Sequence, residues 1–144
     1  MWLAKRPRTS PTAARAWYTH VVAGRHIRRI RYFSGKVSSS ASKNDSAILR
    51  LEHFKRIQTT LTQLVAAHLR SGENPAEFIR VLLDCEQVHI VTIAENYQAM
   101  KAKGDYTEAG ICLIDWDNIP KVRQEHLWNK MLKGRVSNAS EFKP

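Results

Sequence analysis

The first 44 residues contain no Asp or Glu, although they hold ten of the 23 Lys and Arg residues of this 144-residue chain. All 13 acidic residues follow, so the formal charge of +10 lies on this leader and the last 100 residues are neutral. The Ser-rich end of the leader, residues 37–44, has too little apolar character to pack. We therefore expect the folded domain to begin near Asp45.

The leader has the composition of an organelle transit peptide, rich in Arg and Ser and free of acids. A secretory signal fits less well, because His20 interrupts the apolar run of residues 17–23. The motif Arg31-Tyr32-Phe33-Ser34 resembles the site of the mitochondrial processing peptidase, which implies cleavage between Phe33 and Ser34. The alternative is a basic arm that binds nucleic acid or anionic lipid by charge.

Four segments follow from this interpretation: a transit peptide at residues 1–33, a flexible spacer at 34–44, a helical domain at 45–134 and a flexible tail at 135–144. The resemblance places the mature protein in the mitochondrial matrix or on the matrix face of the inner membrane. No apolar run reaches the roughly 18 residues that span a bilayer. Peripheral attachment to a membrane stays an open alternative.

Apolar residues at three- and four-residue steps predict a first helix that starts at Asp45 or Ser46 and ends before Gly72. Asn74 and Pro75 predict the start of a second helix, which we expect to continue to Lys103. Residues 88–93 are rich in β-branched side chains and are compatible with a strand, but no turn signal flanks them. With a short third element and a last helix that ends at Gly134, the pattern predicts an all-α bundle of three to four helices behind a disordered basic N-terminus.

Residues 101–109, Lys-Ala-Lys-Gly-Asp-Tyr-Thr-Glu-Ala, resemble the turn between the two helices of a tetratricopeptide repeat. Gly104 permits the turn, Tyr106 fills the angle between the helices, and Ala109 lets them approach closely. The resemblance covers about 30 residues and one repeat unit, whereas a stack needs about three. It implies helical-hairpin packing and says little about function.

Acidic and metal-ligating side chains form no pattern that predicts a reaction. Glu86 and His89 have the spacing of helical di-iron ligands, and Cys85 with His89 has half of a metal-site spacing, but neither has a second pair. Asp115 and Asp117 flank an aromatic residue just before a helix, where the helix dipole favours acids. We expect no catalytic residues, no cofactor and no metal, and no small-molecule substrate is implied.

Aromatic and sulfur-containing side chains near the C-terminus suggest a contact surface. We predict that the partner-binding residues are Trp128, Met131, Leu127 and Trp116; the alternative is that these residues complete the core. The sequence thus predicts a non-enzymatic interaction module that serves as an assembly factor or accessory subunit of a larger mitochondrial complex. Two alternatives are a mitochondrial ribosomal or RNA-associated protein and a metal-dependent helical-bundle enzyme.

Overall fold

The structure is a computed structural model that describes residues 31–144 together with Ser10, Thr12 and Ala13. Most of the predicted transit peptide, and with it the predicted disorder of the N-terminus, lies outside the described residues. From residue 31 onward the chain divides into two compact units. Residues 55–86 form a helical unit, and residues 31–54 with 87–144 form a sheet unit.

A four-stranded mixed sheet organises the sheet unit, so the prediction of an all-α bundle is wrong. The strands are β1 (Tyr32–Ser38), β2 (Leu49–His53), β3 (Gln87–Thr92) and β4 (Leu113–Asp115). Their order is β2-β3-β1-β4. β1 runs parallel to β3, whereas β2 pairs antiparallel with β3 and β4 pairs antiparallel with β1.

The second predicted helix is interrupted by β3, the strand that lies between β1 and β2. Val88, Ile90 and Val91 of β3 are fully buried. β-branched side chains pack well on a pleated surface with neighbours on both sides, and those neighbours come from distant parts of the sequence. The start of the first predicted helix is also replaced by a strand that pairs with a distant segment. Leu49 and Leu51 lie there in β2.

Residues 34–44, which we expected to form a flexible spacer, form most of β1 and the short helix α1 (Ser39–Lys43). Ser38 caps α1 by accepting a hydrogen bond from the amide of Ala41, and its hydroxyl donates to Glu95 at 2.5 Å. Val37 and Ala41 are buried. The small, hydrogen-bonded side chain of Ser38 therefore lies in the interior.

The helical unit contains α2 (Ile57–Ser71) and α3 (Pro75–Cys85). The predicted start of α3 is confirmed: Asn74 accepts a hydrogen bond from the amide of Glu77, and Pro75 opens the helix. His68 Nε2 lies 2.8 Å from Glu77 Oε2 and links the two helices. None of the helices in the described part of the chain is both long and apolar enough to cross a membrane.

After β3 the sheet unit continues with α4 (Ile93–Lys101) and α5 (Lys121–Leu127), and α5 runs on into a π-helical turn over Trp128–Leu132. Thr92 and Glu95 form a capping box at the start of α4. Residues 102–110 form turns that lead towards β4. The helical hairpin expected from the tetratricopeptide resemblance is therefore not formed there.

The last ten residues, which we expected to form a flexible tail, pack on the sheet unit. The side chain of Asn138 accepts from the amide of Phe33 at 2.7 Å and donates to its carbonyl at 2.9 Å. The ring of Phe142 meets that of Phe33 edge-on, with 4.8 Å between centroids. These contacts tie the C-terminal segment to β1.

Candidate functional site

A buried polar cluster lies on one face of the sheet, around His89 of β3. The Ser34 hydroxyl lies 2.6 Å from His89 Nδ1, and the amide of Lys36 donates to Ser34 Oγ at 3.2 Å. Since Ser34 Oγ already accepts one hydrogen bond, its own proton is available for Nδ1. This arrangement favours a neutral imidazole that carries its proton on Nε2.

Aromatic rings enclose this imidazole. The rings of Phe54 and Tyr106 meet His89 edge-on, with centroids at 5.2 and 5.7 Å. The Tyr106 hydroxyl donates to Glu52 Oε2 at 3.1 Å, and Glu52 lies opposite His89 in the antiparallel ladder. His89 Nε2 is buried and has no hydrogen-bond partner among the described residues.

Burial, and after it the charge of Lys36, lowers the pKa of His89 to about 4. Burial also raises the pKa of Tyr106 well above its usual value, with the Glu52 carboxylate acting in the same direction. A general base works best when its pKa lies near the working pH. His89 is therefore a weak base for Ser34 at neutral pH, and the cluster serves mainly to join β1, β2 and β3.

The four residues predicted to bind a partner pack mainly in the interior of the sheet unit. Leu127, Met131 and Trp116 belong to the buried core, and Trp128 is half-buried against it. The Trp128 indole donates to the carbonyl of Ala139 at 2.8 Å, and Lys133 lies over its ring. These internal contacts account for the apolar face without a partner.

The predicted processing residues lie at the start of β1. Phe33 is buried in the core, and the carbonyl of Arg31 accepts a hydrogen bond from the amide of Ser137 at 2.8 Å. Ser34 belongs to the His89 cluster. The bond between Phe33 and Ser34 is thus inside a paired strand, and a protease that needs an extended chain can reach it only while β1 is unpaired.

The acids and thiols considered for metal chemistry are dispersed. Glu86 caps the end of α3 whereas His89 lies in β3, so the two do not share a helix turn. Asp115 forms an ion pair with Lys36 at 2.5 Å. No group of three His, Cys, Asp or Glu side chains suited to a metal ion occurs within the described ranges.

A cavity of about 340 Å³ lies beside α5 in the sheet unit. Trp116 and Phe142 supply its aromatic walls, and charged side chains of both signs surround it: Asp117, Glu141, Lys121 and Lys143. Since two acids and two lysines balance, the lining has no net charge that would favour a strongly anionic ligand.

α3 carries an exposed apolar stripe, which we define as Ile79 and Leu83. Ile79 is 56% exposed and Leu83 is 38% exposed, and residues four apart lie on the same face of a helix. Only Cys85 of this helix is fully buried. The sequence pattern alone did not separate these residues from the core, because apolar spacing is the same for a buried and an exposed helix face.

Comparison of the chain with protein-family models, curated proteins and solved structures finds no match.

Proposed function

We propose that this chain is a non-enzymatic interaction module that serves as an assembly factor or accessory subunit of a larger mitochondrial complex. The exposed α3 stripe is the observation that carries the proposal. Contiguous exposed apolar residues are typical of surfaces that bind another protein, whereas single ones are not informative. The leader's transit-peptide composition supports the mitochondrial setting.

The charges beside the stripe point to the class of partner. The charged residues of α3 are two acids and one base, Glu77, Asp84 and Arg80, and Arg80 lies 4.0 Å from Glu77. Nucleic acids and anionic membranes are bound through excess basic charge, which this helix does not have. The partner that fits is a protein that presents an apolar face, such as the apolar side of an amphipathic helix, to Ile79 and Leu83.

The test replaces both stripe residues with Ser in the full chain, as I79S/L83S, and measures the native size of the complex in mitochondrial extract. We expect the variant to leave the larger complex and to keep its folded circular dichroism spectrum, because both side chains are substantially exposed. The control is V122S, which removes a single exposed apolar side chain from α5. An unchanged complex in I79S/L83S, or loss only in the control, would contradict the assignment of the stripe.

A further inference from the structure

β2 is an edge strand of the sheet. It stands at the end of the sheet and pairs on one side with β3, and no other described strand pairs with it. An edge strand presents backbone donors and acceptors that can pair with another chain. The outward backbone groups and the side chains of β2 therefore determine which strand can pair with it.

The hydrogen bonds at the two ends of β2 fix which residues face outward. The carbonyl of Ile48 accepts from the amide of Ile93 at 2.8 Å, and the amide of Phe54 donates to the carbonyl of Gln87 at 3.0 Å. Bonding alternates along an antiparallel ladder, so even-numbered residues bond to β3. The backbone groups of the odd-numbered residues, with Leu51 at the centre, point to the outer edge.

We propose that two copies of this chain associate through β2, antiparallel and centred on Leu51. In this register Leu51 of one copy exchanges both backbone hydrogen bonds with Leu51 of the other. Because the arrangement has twofold symmetry, every side-chain pair except the central one between the two Leu51 residues occurs twice. An odd-numbered residue must lie at the centre of this register, because the backbone groups of the odd-numbered residues are the ones that face outward.

The side chains of β2 and its two flanking residues complement one another in this register. Arg50 lies opposite Glu52 of the second copy, and Ile48 lies opposite Phe54 of the second copy. These four positions are two apart, so they share one face of the strand. Ile48 is 67% exposed and Phe54 is 48% exposed.

Opposite charges and apolar pairs directly across a ladder stabilise it, whereas like charges destabilise it. Glu52 accepts the hydrogen bond from Tyr106 on Oε2. One strand that supplies both a cation and its matching anion, and an apolar residue at each end, is complementary to itself. A second copy is therefore the partner that this edge fits.

The first measurement needs no variant: sedimentation equilibrium of the full chain across a concentration series that reaches its solubility limit. The proposal predicts a species of twice the chain mass of 16.5 kDa. R50E places a glutamate opposite Glu52 and should weaken the dimer at least about tenfold. The control R135E reverses an exposed charge away from β2 and should leave the dimer unchanged. A monomer at every concentration would overturn the proposal.

Disulfide trapping tests the register. In a C112S background, which removes the exposed native thiol, I48C and F54C proteins are mixed and mildly oxidised. Positions 48 and 54 of the two copies would form a directly opposed pair without backbone hydrogen bonds between them. The Cα atoms of such a pair lie about 4.5 Å apart, within the range that a disulfide spans. The mixture should yield a linked dimer. Neither protein alone should form the link, because the introduced cysteines of its two copies would lie about 20 Å apart. Two outcomes would refute the β2 interface. One is a dimer whose mixture forms no disulfide between positions 48 and 54, and the other is equal linking in the separate proteins.

Discussion

His89 contacts Ser34 through one ring nitrogen and buries the other, in a setting that opposes a positive charge. Its neighbours on the sheet face are Lys36, Tyr106 and Glu52, and the side chain of Phe54 closes over the ring. The sequence located His89 in a helix beside Cys85 and Glu86, where it resembled a metal ligand. Ser34 and Glu52, distant in the sequence, determine its surroundings, and no local pattern contains them.

Protonation of His89 should reduce the stability of the folded chain. The pKa falls from 6.5 to about 4 on folding, so the unfolded chain binds the proton more readily. Stability is full above pH 6.5 and is lost as the pH falls towards 4, by an amount on the order of 3 kcal/mol. Urea unfolding at about pH 7 and about pH 4.5 measures this loss.

The variant H89Q should show a smaller loss of stability between those two pH values than the natural chain. The control H126Q replaces an exposed histidine and should retain the full loss. If H89Q loses as much stability as the natural chain, His89 does not titrate as its burial requires. Direct observation of a His89 pKa near 6.5 by NMR would have the same consequence.

At the scale of elements, the C-terminal segment bonds to the first residues of β1, where β4 does not pair. Asn138 uses both functions of its amide on the backbone of Phe33. Replacing Asn138 with Ala should lower the free energy of unfolding by about 2 kcal/mol, because a partly buried donor and acceptor lose their partners. Chemical denaturation checks this. S140A, at an exposed neighbour, should change it by less than about 0.5 kcal/mol, and equal effects would show that Asn138 is not a tie.

Elements with local signals were predictable and elements with distant partners were not. Asn74 with Pro75 marks the start of α3 through contacts within four residues, so the sequence contains the whole signal. β3 depends on β1 and β2, which lie about 50 and 40 residues earlier in the sequence. Residues 34–44 resembled a spacer for the same reason, since a serine such as Ser38, which hydrogen-bonds to the distant Glu95, looks like a solvated serine until the fold is known.

The sequence pattern did not locate the exposed apolar stripe of α3. The sequence indicated an apolar helix face for a partner, and Trp128 and Met131 were the more conspicuous residue types. These two residues pack against the β-sheet, which sequence analysis had not predicted, while Ile79 and Leu83 stay exposed. Large aromatic residues are common both in cores and at interfaces, so residue type alone does not distinguish the two.

For the whole molecule, charge and exposed apolar surface separate along the chain. The excess basic charge belongs to the acid-free leader, whereas the α3 stripe lies in the helical unit and the complementary edge lies in the sheet unit. We interpret the predicted transit peptide, residues 1–33, as an address, the stripe as the contact to another protein and the β2 edge as the contact to a second copy. The stripe and the β2 edge can be tested separately, because the substitutions that probe them share no residue.

Site-specific photo-crosslinking from position 79 tests whether the α3 stripe binds another protein. A photoreactive phenylalanine analogue replaces Ile79 in the full chain, expressed in cells with mitochondria, and illumination precedes denaturing purification. If the stripe binds a partner, position 79 should give a discrete adduct with a mitochondrial protein. Position 122 is the control, because Val122 is 82% exposed on α5, and it should give no such adduct. No adduct at position 79, or the same adducts from both positions, would contradict the assignment of the stripe.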